Sequence, residues 1–298
     1  MRLRLVGGPS QLLGAACCVA ASVVLLAGCT AVGHASNLPN SVGQRTASSD
    51  TGGTLVRVLQ MNLCDSGIAD CYTNGRSVIR AAALIHARRP DIVTLNEVCR
   101  RDVSALERAM TATFPGARIA SAFRPAEDRR TNGPYLCLNG QQFGDAVLAL
   151  VPGAATSSRT YGGVYPTQDL IVSEERVWLC IDVAARFIAC TTHTASTSTA
   201  IALAQCRYFL RSAVPRMLRQ DGDEPVILGA DLNLPAGHSP SPQSCLPDGY
   251  QRADDGARQD VVASPGAVIR SRTVIDMHGT TDHPGLLVEV DLPRLATR

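Results

Sequence analysis

The 298-residue chain contains no lysine: its 28 basic residues are all arginine, set against 26 Asp and Glu. With overall charge so nearly balanced, the sequence announces no electrostatically steered nucleic-acid binder, and only a local Arg patch could serve that role. Aromatics are scarce too, with 1 Trp, 6 Tyr and 5 Phe, and they form no evident stacking array for single strands. No C-x-x-C pair or Cys/His cluster has zinc-ligand spacing, which argues against a zinc site. What is present, 45% hydrophobic and 18% charged residues, excludes a disordered or collagen-like chain.

The charge is unevenly placed. Arg2 and Arg4 precede the apolar stretch 12–27, while the first acidic residue is Asp50. A basic start, a short Ala/Gly-rich apolar run and then Leu26-Ala27-Gly28-Cys29 read as a secretory leader. Its ending resembles the bacterial lipoprotein signal, which implies removal of residues 1–28 and acylation of Cys29. The expected address is therefore export, with a lipid anchor on the outer face of the bacterial cell membrane. An uncleaved anchor helix, or plain secretion after cleavage near Ala35-Ser36, are the competing readings. Residues 29–54 are small, polar and aperiodic, as in a flexible tether. Without the leader, 26 Arg balance 26 acids, so any phosphate affinity must come from a local site.

Of the 11 cysteines, Cys17 and Cys18 leave with the leader and Cys29 carries lipid. The remaining eight are Cys64, Cys71, Cys99, Cys137, Cys180, Cys190, Cys206 and Cys245, an even number that reads as a disulfide framework in an exported protein. Cys64 and Cys71 bracket a short Asp/Gly loop. Cys180 and Cys190 fall on two expected hairpin strands, where neighbouring backbones come within bridging distance. Cys99 with Cys137 and Cys206 with Cys245 complete the set by elimination.

From residue 55 onward, apolar segments of strand and helix period alternate. Strands are expected over 55–62, 91–97, 143–151, 177–183, 186–192, 225–229, 260–263, 268–276 and 286–290. Helices are expected over 77–89, 102–113 and 200–218. With no internal repeat and no second linker, 55–294 reads as one two-sheet α/β domain.

Polar residues recur where these strands end: Asn62, Glu97, His193, Asp231 with Asn233, and Asp282-His283. Each alone is an ordinary turn or surface residue. Sheet packing, however, brings strand ends to a common rim. Several acids, two His and two Asn there would form a hard-oxygen metal site with general-base capacity, suited to Mg²⁺ or Mn²⁺ and to phosphoester hydrolysis.

The series Gln60-Met-Asn62, Leu95-Asn-Glu97-Val, Thr192-His193, Gly229-Ala-Asp231-Leu-Asn233 and Thr281-Asp282-His283-Pro-Gly-Leu resembles the endonuclease/exonuclease/phosphatase superfamily, the deoxyribonuclease-I-like fold. The resemblance spans about residues 55 to 292. It implies a four-layered α/β sandwich of two packed, mostly antiparallel sheets flanked by helices, with the site at one edge. It makes Glu97 the principal metal carboxylate, with Asn62 and Asp282 nearby, directly or through water. It makes His283 a base or phosphoryl stabiliser, Asp231 a second candidate to hold or deprotonate water, and Asn233 and His193 partners of the phosphate. Family members carry an Asp some twenty residues before the final Asp-His; spacing favours Asp260 over Asp276 as the group orienting His283. Glu175 of Glu175-Arg176 is a candidate to orient His193, or is part of a surface ion pair.

The implied cofactor is Mg²⁺ or Mn²⁺; some relatives also bind a structural Ca²⁺, a point the sequence leaves open. Cys64, where some DNA-repair relatives have an acidic ligand, puts a second metal position in doubt. The Arg-bearing insert 124–134 is either a phosphate contact or a solvated loop. No long apolar hairpin signals the membrane insertion expected of a sphingomyelinase-like relative. The expected partner is a phosphodiester, foremost nucleic acid acted on by an extracellular nuclease, with no protein partner. The alternatives are a phosphatase or phospholipase of the same superfamily, acting on inositol phosphates, sphingomyelin or nucleotides, and a non-catalytic binding lipoprotein.

Overall fold

The computed structural model describes residues 53–151, 158–183, 186–222 and 224–293. The leader, Cys29 and the tether up to residue 52 lie outside the described residues.

The described chain begins with β1 (Thr54–Asn62), α1 (Arg76–Arg88), β2 (Ile92–Cys99) and α2 (Arg100–Thr113). It continues through β3 (Arg118–Pro125), the two-residue strands β4 (Glu127–Asp128) and β5 (Gly133–Pro134), β6 (Phe143–Val151) and β7 (Ser158–Val164). Next come β8 (Val177–Val183), β9 (Phe187–His193), α3 (Thr199–Tyr208), α4 (Val214–Asp221) and β10 (Val226–Asp231). The last strands are β11 (Gln251–Asp254), β12 (Gln259–Ala263), β13 (Val268–Ile275) and β14 (Gly285–Leu292).

Two six-stranded sheets result, ordered β13-β14-β1-β2-β6-β3 and β11-β12-β10-β9-β8-β7. In each, one central pair is parallel, β1 with β2 and β9 with β10, and the other neighbours are antiparallel. The parallel pairs are the ones joined by helical crossovers, α1 in one sheet and α3–α4 in the other, because a parallel connection must return the chain along the sheet. Helices α1 and α2 cover the outer face of the first sheet through Val78, Ala81, Leu84 and Ile85 and through Val103, Leu106 and Met110, at the i, i+3, i+4, i+7 spacing of an apolar stripe. Helices α3 and α4 cover the second sheet through Ala202, Cys206, Val214 and Met217. The layers are helix, sheet, sheet, helix, as expected.

Between α3 and α4 the helix widens into a π turn over Phe209–Ala213, with Val214 N–H bonded to Phe209 O. Pro215 explains this: it has no N–H for an α-helical bond, and its ring would crowd the preceding turn. The single helix expected over 200–218 is thus three consecutive helical pieces.

Besides the two-residue strands β4 and β5, three strands have no counterpart in the sequence reading. β3 is an edge strand with mostly half-exposed side chains, and β7 is an exposed edge strand containing Gly162 and Gly163. Neither shows a clean apolar alternation, since an edge buries little of either face. A Cβ on Gly163 would meet the Trp178 ring at 2.7 Å, so glycine is what allows the two strands to approach. β11 is the short edge of the second sheet.

The four expected sulfur pairs are present, Cys64–Cys71, Cys99–Cys137, Cys180–Cys190 and Cys206–Cys245. Cys180 and Cys190 face each other directly across β8 and β9. Cys99–Cys137 and Cys64–Cys71 tie down loops beside the strand ends that carry the site.

Candidate active site

Along the interface between the sheets, inward-facing residues change character two-thirds of the way along each strand. β1 presents Val56 and Val58, then Gln60 and Asn62; β2 presents Ile92, then Thr94 and Asn96. β9 presents Phe187 and Ala189, then Thr191 and His193; β12, read toward the same end, presents Ala263 and Val261, then Gln259. Because alternate residues share a face, each strand delivers its last inward side chains to one rim. That rim lines a cavity of about 260 Å³ that includes Glu97, Arg176, His193, Asn233, Asp282 and His283.

Glu97 reaches the rim through its backbone. Its φ of 54° lies in the left-handed region, at a register shift between β2 and β6 that falls between Leu95 and Val98. A strained residue inside a strand is held only where its surroundings over-determine it. Here the return is that the carboxylate meets Asn62 Nδ2 at 2.9 Å, with His193 Nε2 3.8 Å away. Burial pushes the Glu97 carboxyl up to about 7; the Asn62 hydrogen bond opposes this, Glu174 and Asp231 add to it, and Arg176 counters it.

Asp231 is buried and surrounded by donors. Its Oδ2 accepts from Asn62 Nδ2 at 3.0 Å and Gln259 Nε2 at 2.7 Å and lies 3.4 Å from His283 Nε2, while Oδ1 accepts from Asn233 N at 3.1 Å. Asn233, with φ 48°, donates its amide to Thr194 O and accepts from Arg258 Nη1 at 3.0 Å. Asp282 is exposed at the mouth, 3.8 Å from His283 Nε2. His193 is held well below its usual range, first by burial and then by Arg176, His283 and Arg258, so the ring is neutral at physiological pH; its Nδ1 is buried without a hydrogen-bond partner.

Gly229 sets the spacing behind the rim. A Cβ there would stand 2.0 Å from Thr94 Oγ1, so only glycine lets β10 lie against the Thr94–Gln60 hydrogen bond of the facing sheet.

Seven of the expected site residues therefore converge: Asn62, Glu97, His193, Asp231, Asn233, Asp282 and His283. Asp260 does not. It follows Gln259 on β12, so it projects to the opposite face, where Arg252 Nη1 donates to it at 2.6 Å. The alternative, Asp276, is exposed on a loop beside His278. The residue adjoining His283 Nδ1 is Gln259, at 3.4 Å. Glu175 is also misassigned: its charged neighbours are Glu127, Arg124 and Arg129, while the flanking Glu174 and Arg176 face the cavity as a buried pair 3.0 Å apart. Arg129 of the insert is spent on the carbonyls of Asp169 and Val172 and so shapes the neighbouring loop. Arg258 and Gln259 carried no signal in the sequence beyond a polar pair ahead of an apolar strand.

The donor set fits a hard divalent cation. Glu97 and Asp282 open onto the same cavity, and the raised Glu97 carboxyl is a buried acid whose charge the Asn62 hydrogen bond and Arg176 offset only in part. Asn62 is not arranged as a ligand: its Oδ1 accepts from Cys64 N at 3.0 Å and its Nδ2 faces the carboxylates, so it holds Glu97 in place. Among the described residues, two groups of acidic and sulfur atoms lie close enough to share an ion, Cys64 with Cys71 and Asp282 and Asp65 with Cys99 and Asp102, and both include half-cystines, which offer no thiolate.

No protein-family model matches the chain, and no curated protein does. Solved structures do. The chain is similar to the endonuclease/exonuclease/phosphatase from Beutenbergia cavernae, at 18% identity and TM-score 0.56 over 80% of this chain and 72% of that one. It is similar to the human Nocturnin catalytic domain, at 16% identity and TM-score 0.54 over 79% and 94%. It is also similar to ANGEL2, a 2′,3′-cyclic phosphatase, at 12% identity and TM-score 0.55 over 82% and 97%. The chain has the deoxyribonuclease-I-like fold of the endonuclease/exonuclease/phosphatase superfamily.

Proposed function

We propose that the protein is a divalent-metal-dependent phosphoester hydrolase acting on phosphodiesters. The observation that carries this reading is the meeting of Glu97, Asp231, His193 and His283 at one rim, delivered by β2, β10, β9 and the loop before β14. Fold likeness to phosphoesterases supports it, and an inert descendant of the fold would have no need to bury these groups together. Glu97 and Asp282 would hold Mg²⁺ or Mn²⁺, which when bound would supply charge neutralisation for phosphate oxygens.

The chain's own residues then have distinct tasks. Asp231 accepts a proton from the attacking water as the oxygen–phosphorus bond forms; the ester P–O bond breaks, and the leaving oxygen takes a proton from solvent. Arg176 and Arg258 add positive charge to the cavity, and the neutral His193 hydrogen-bonds a phosphate oxygen as charge accumulates there. Asn62 and Asn233 fix Glu97 and Asp231.

For substrate, the reading is an extracellular nuclease on a lipid-anchored, exported protein. A second class, amphiphilic phosphodiesters, is favoured by the aliphatic side chains exposed on loops near the mouth: Ile68, Leu138, Leu170 and Ile171. Such a rim suits acyl chains better than bases, which stack on aromatic or guanidinium planes. Hydrolysis of plasmid DNA, RNA, a chromogenic phosphodiester and phospholipid vesicles, each with Mg²⁺ and then with EDTA, separates these readings. Cleavage that survives EDTA would refute the metal dependence, and inactivity on every substrate would refute the hydrolase. Palmitate labelling of wild type and Cys29→Ala tests the anchor.

A further inference from the structure

Strand β1 lies between β2 and β14 in the first sheet, so the segment that leaves its end is flanked by the two carboxylates assigned to the cation. Glu97 stands on β2 and Asp282 on the loop that enters β14, and these two elements are not neighbours in the sheet. What joins their ends is the segment 63–73. It is closed on itself by the Cys64–Cys71 disulfide, across a separation of only 7 residues.

On the Glu97 side the segment holds both backbone and side chain. Leu63 N–H donates to Asn96 O at 3.0 Å and Asp65 N–H to Glu97 O at 2.9 Å, which secures the left-handed Glu97 backbone from the end of β1. Cys64, itself left-handed at φ 46°, donates its N–H to Asn62 Oδ1 at 3.0 Å. With its oxygen taken, the Asn62 amide turns its nitrogen toward the site, where it meets Glu97 Oε1 at 2.9 Å and Asp231 Oδ2 at 3.0 Å.

On the other side the same segment pins the loop before β14. Thr73 Oγ1 donates to Thr280 O at 2.6 Å, and Thr281 Oγ1 donates back to Asn62 O at 3.0 Å, immediately ahead of Asp282. Both sulfurs and an Asp282 carboxylate oxygen lie within 4.8 Å of one another. A disulfide carries no charge and offers no thiolate to a cation, so its part is steric: it walls one side of an exposed carboxylate.

We propose that the segment 64–73, closed by Cys64–Cys71, is a clasp that positions the cation site, holding Asp282 on one side and Asn62 with Glu97 on the other. It rests on the metal-dependent hydrolase reading for its ligands. A general staple of the fold would behave differently. In the chain-entropy picture a cross-link stabilises more as the loop it closes lengthens, so Cys206–Cys245, separated by 39 residues and buried in the core under α3, is the stronger staple. Opening Cys64–Cys71 therefore costs the fold less and the site more.

The experiment is calorimetric titration of Mn²⁺ into the intact metal-free protein, paired with thermal unfolding, for wild type, Cys64→Ala/Cys71→Ala and Cys206→Ala/Cys245→Ala. The expected result is Mn²⁺ binding about tenfold weaker in the first variant with a modest fall in Tm, and wild-type affinity in the second despite a larger fall. Thr73→Val keeps both sulfurs and removes the hydroxyl that pins Thr280; it should also weaken Mn²⁺ binding, and it decides the matter if the first variant does not fold. Wild-type affinity in Cys64→Ala/Cys71→Ala or in Thr73→Val overturns the proposal, and so does a loss of affinity that follows Tm equally in the two disulfide variants. A wild type that binds no Mn²⁺ refutes the metal reading and the clasp together. Clasp-dependent binding in a protein that cleaves no phosphoester supports the clasp and refutes the hydrolase reading alone.

Discussion

The interior between the two sheets is built in two ways. Over most of its length it is dry and aliphatic, with Val58, Ile92, Leu179, Ile181, Ile227 and Val288 interleaved from the facing strands. Toward the rim the same strands bury Gln60, Thr94, Asn96, Asp145, Thr191, Asp231 and Gln259, nearly all fully enclosed. The first region gains stability by removing carbon from water, roughly 1.5–3 kcal/mol for each large side chain. The second gains little net free energy from its hydrogen bonds but fixes atoms in single positions, because any unmade bond there costs about 1–3 kcal/mol. One region holds the fold and the other holds geometry, and they respond differently to substitution.

The largest difference should come from Asp231→Asn. Loss of the proton acceptor is expected to lower kcat/KM by about 10²–10⁴-fold in a steady-state assay, while thermal unfolding records a cost of about 1–3 kcal/mol, because the new amide turns an N–H toward donors that Asp231 now accepts from. Leu179→Ala, in the dry region, should spare catalysis, costing about 2–5 kcal/mol in denaturant unfolding while the folded fraction keeps its kcat. Gly229→Ala touches both regions, since its methyl group would strike Thr94 Oγ1; a loss of about 1–3 kcal/mol together with reduced kcat is expected.

A smaller effect concerns pH. Burial pushes the Asp145 carboxyl up to about 8, with Glu174 and Glu97 reinforcing the shift and the Asn96 hydrogen bond and Arg176 opposing it. A carboxyl whose pKa is raised on folding favours the folded state when protonated. Its contribution is therefore complete below pH 4 and declines as pH rises to about 8, where the folded group finally ionises. Stability in metal-free buffer should fall across that window, and Asp145→Asn, which can still accept from Asn96, should flatten the fall. An unchanged slope in the variant would assign the dependence to other groups.

The ends of strands were the readable part of this site. Asn62, Glu97, His193 and Asp231 each close an apolar run, so their shared rim follows from alternation and packing alone. Parity within a pair was not readable. Gln259 and Asp260 are neighbours in sequence, and only the antiparallel register that sets Asp231 opposite Gln259 decides which one enters the site. The same one-residue ambiguity put Glu175 in place of Glu174 and Arg176. Chemistry favoured the acid in both cases, whereas the fold placed an amide beside His283 and an ion pair beside His193. The edge strands β3 and β7 escaped detection because a strand with one open side needs no strict alternation. The disulfides, by contrast, were legible as a set because adjacent elements and an even count left few pairings.

The central claim is that the polar end of the interior binds a catalytic divalent ion through Glu97. Titration calorimetry of Mn²⁺ into the metal-free protein tests it most directly. The account predicts binding that is lost in Glu97→Gln while the variant remains folded; Mn²⁺ binding of equal affinity in that variant, or none in the wild type, would contradict it.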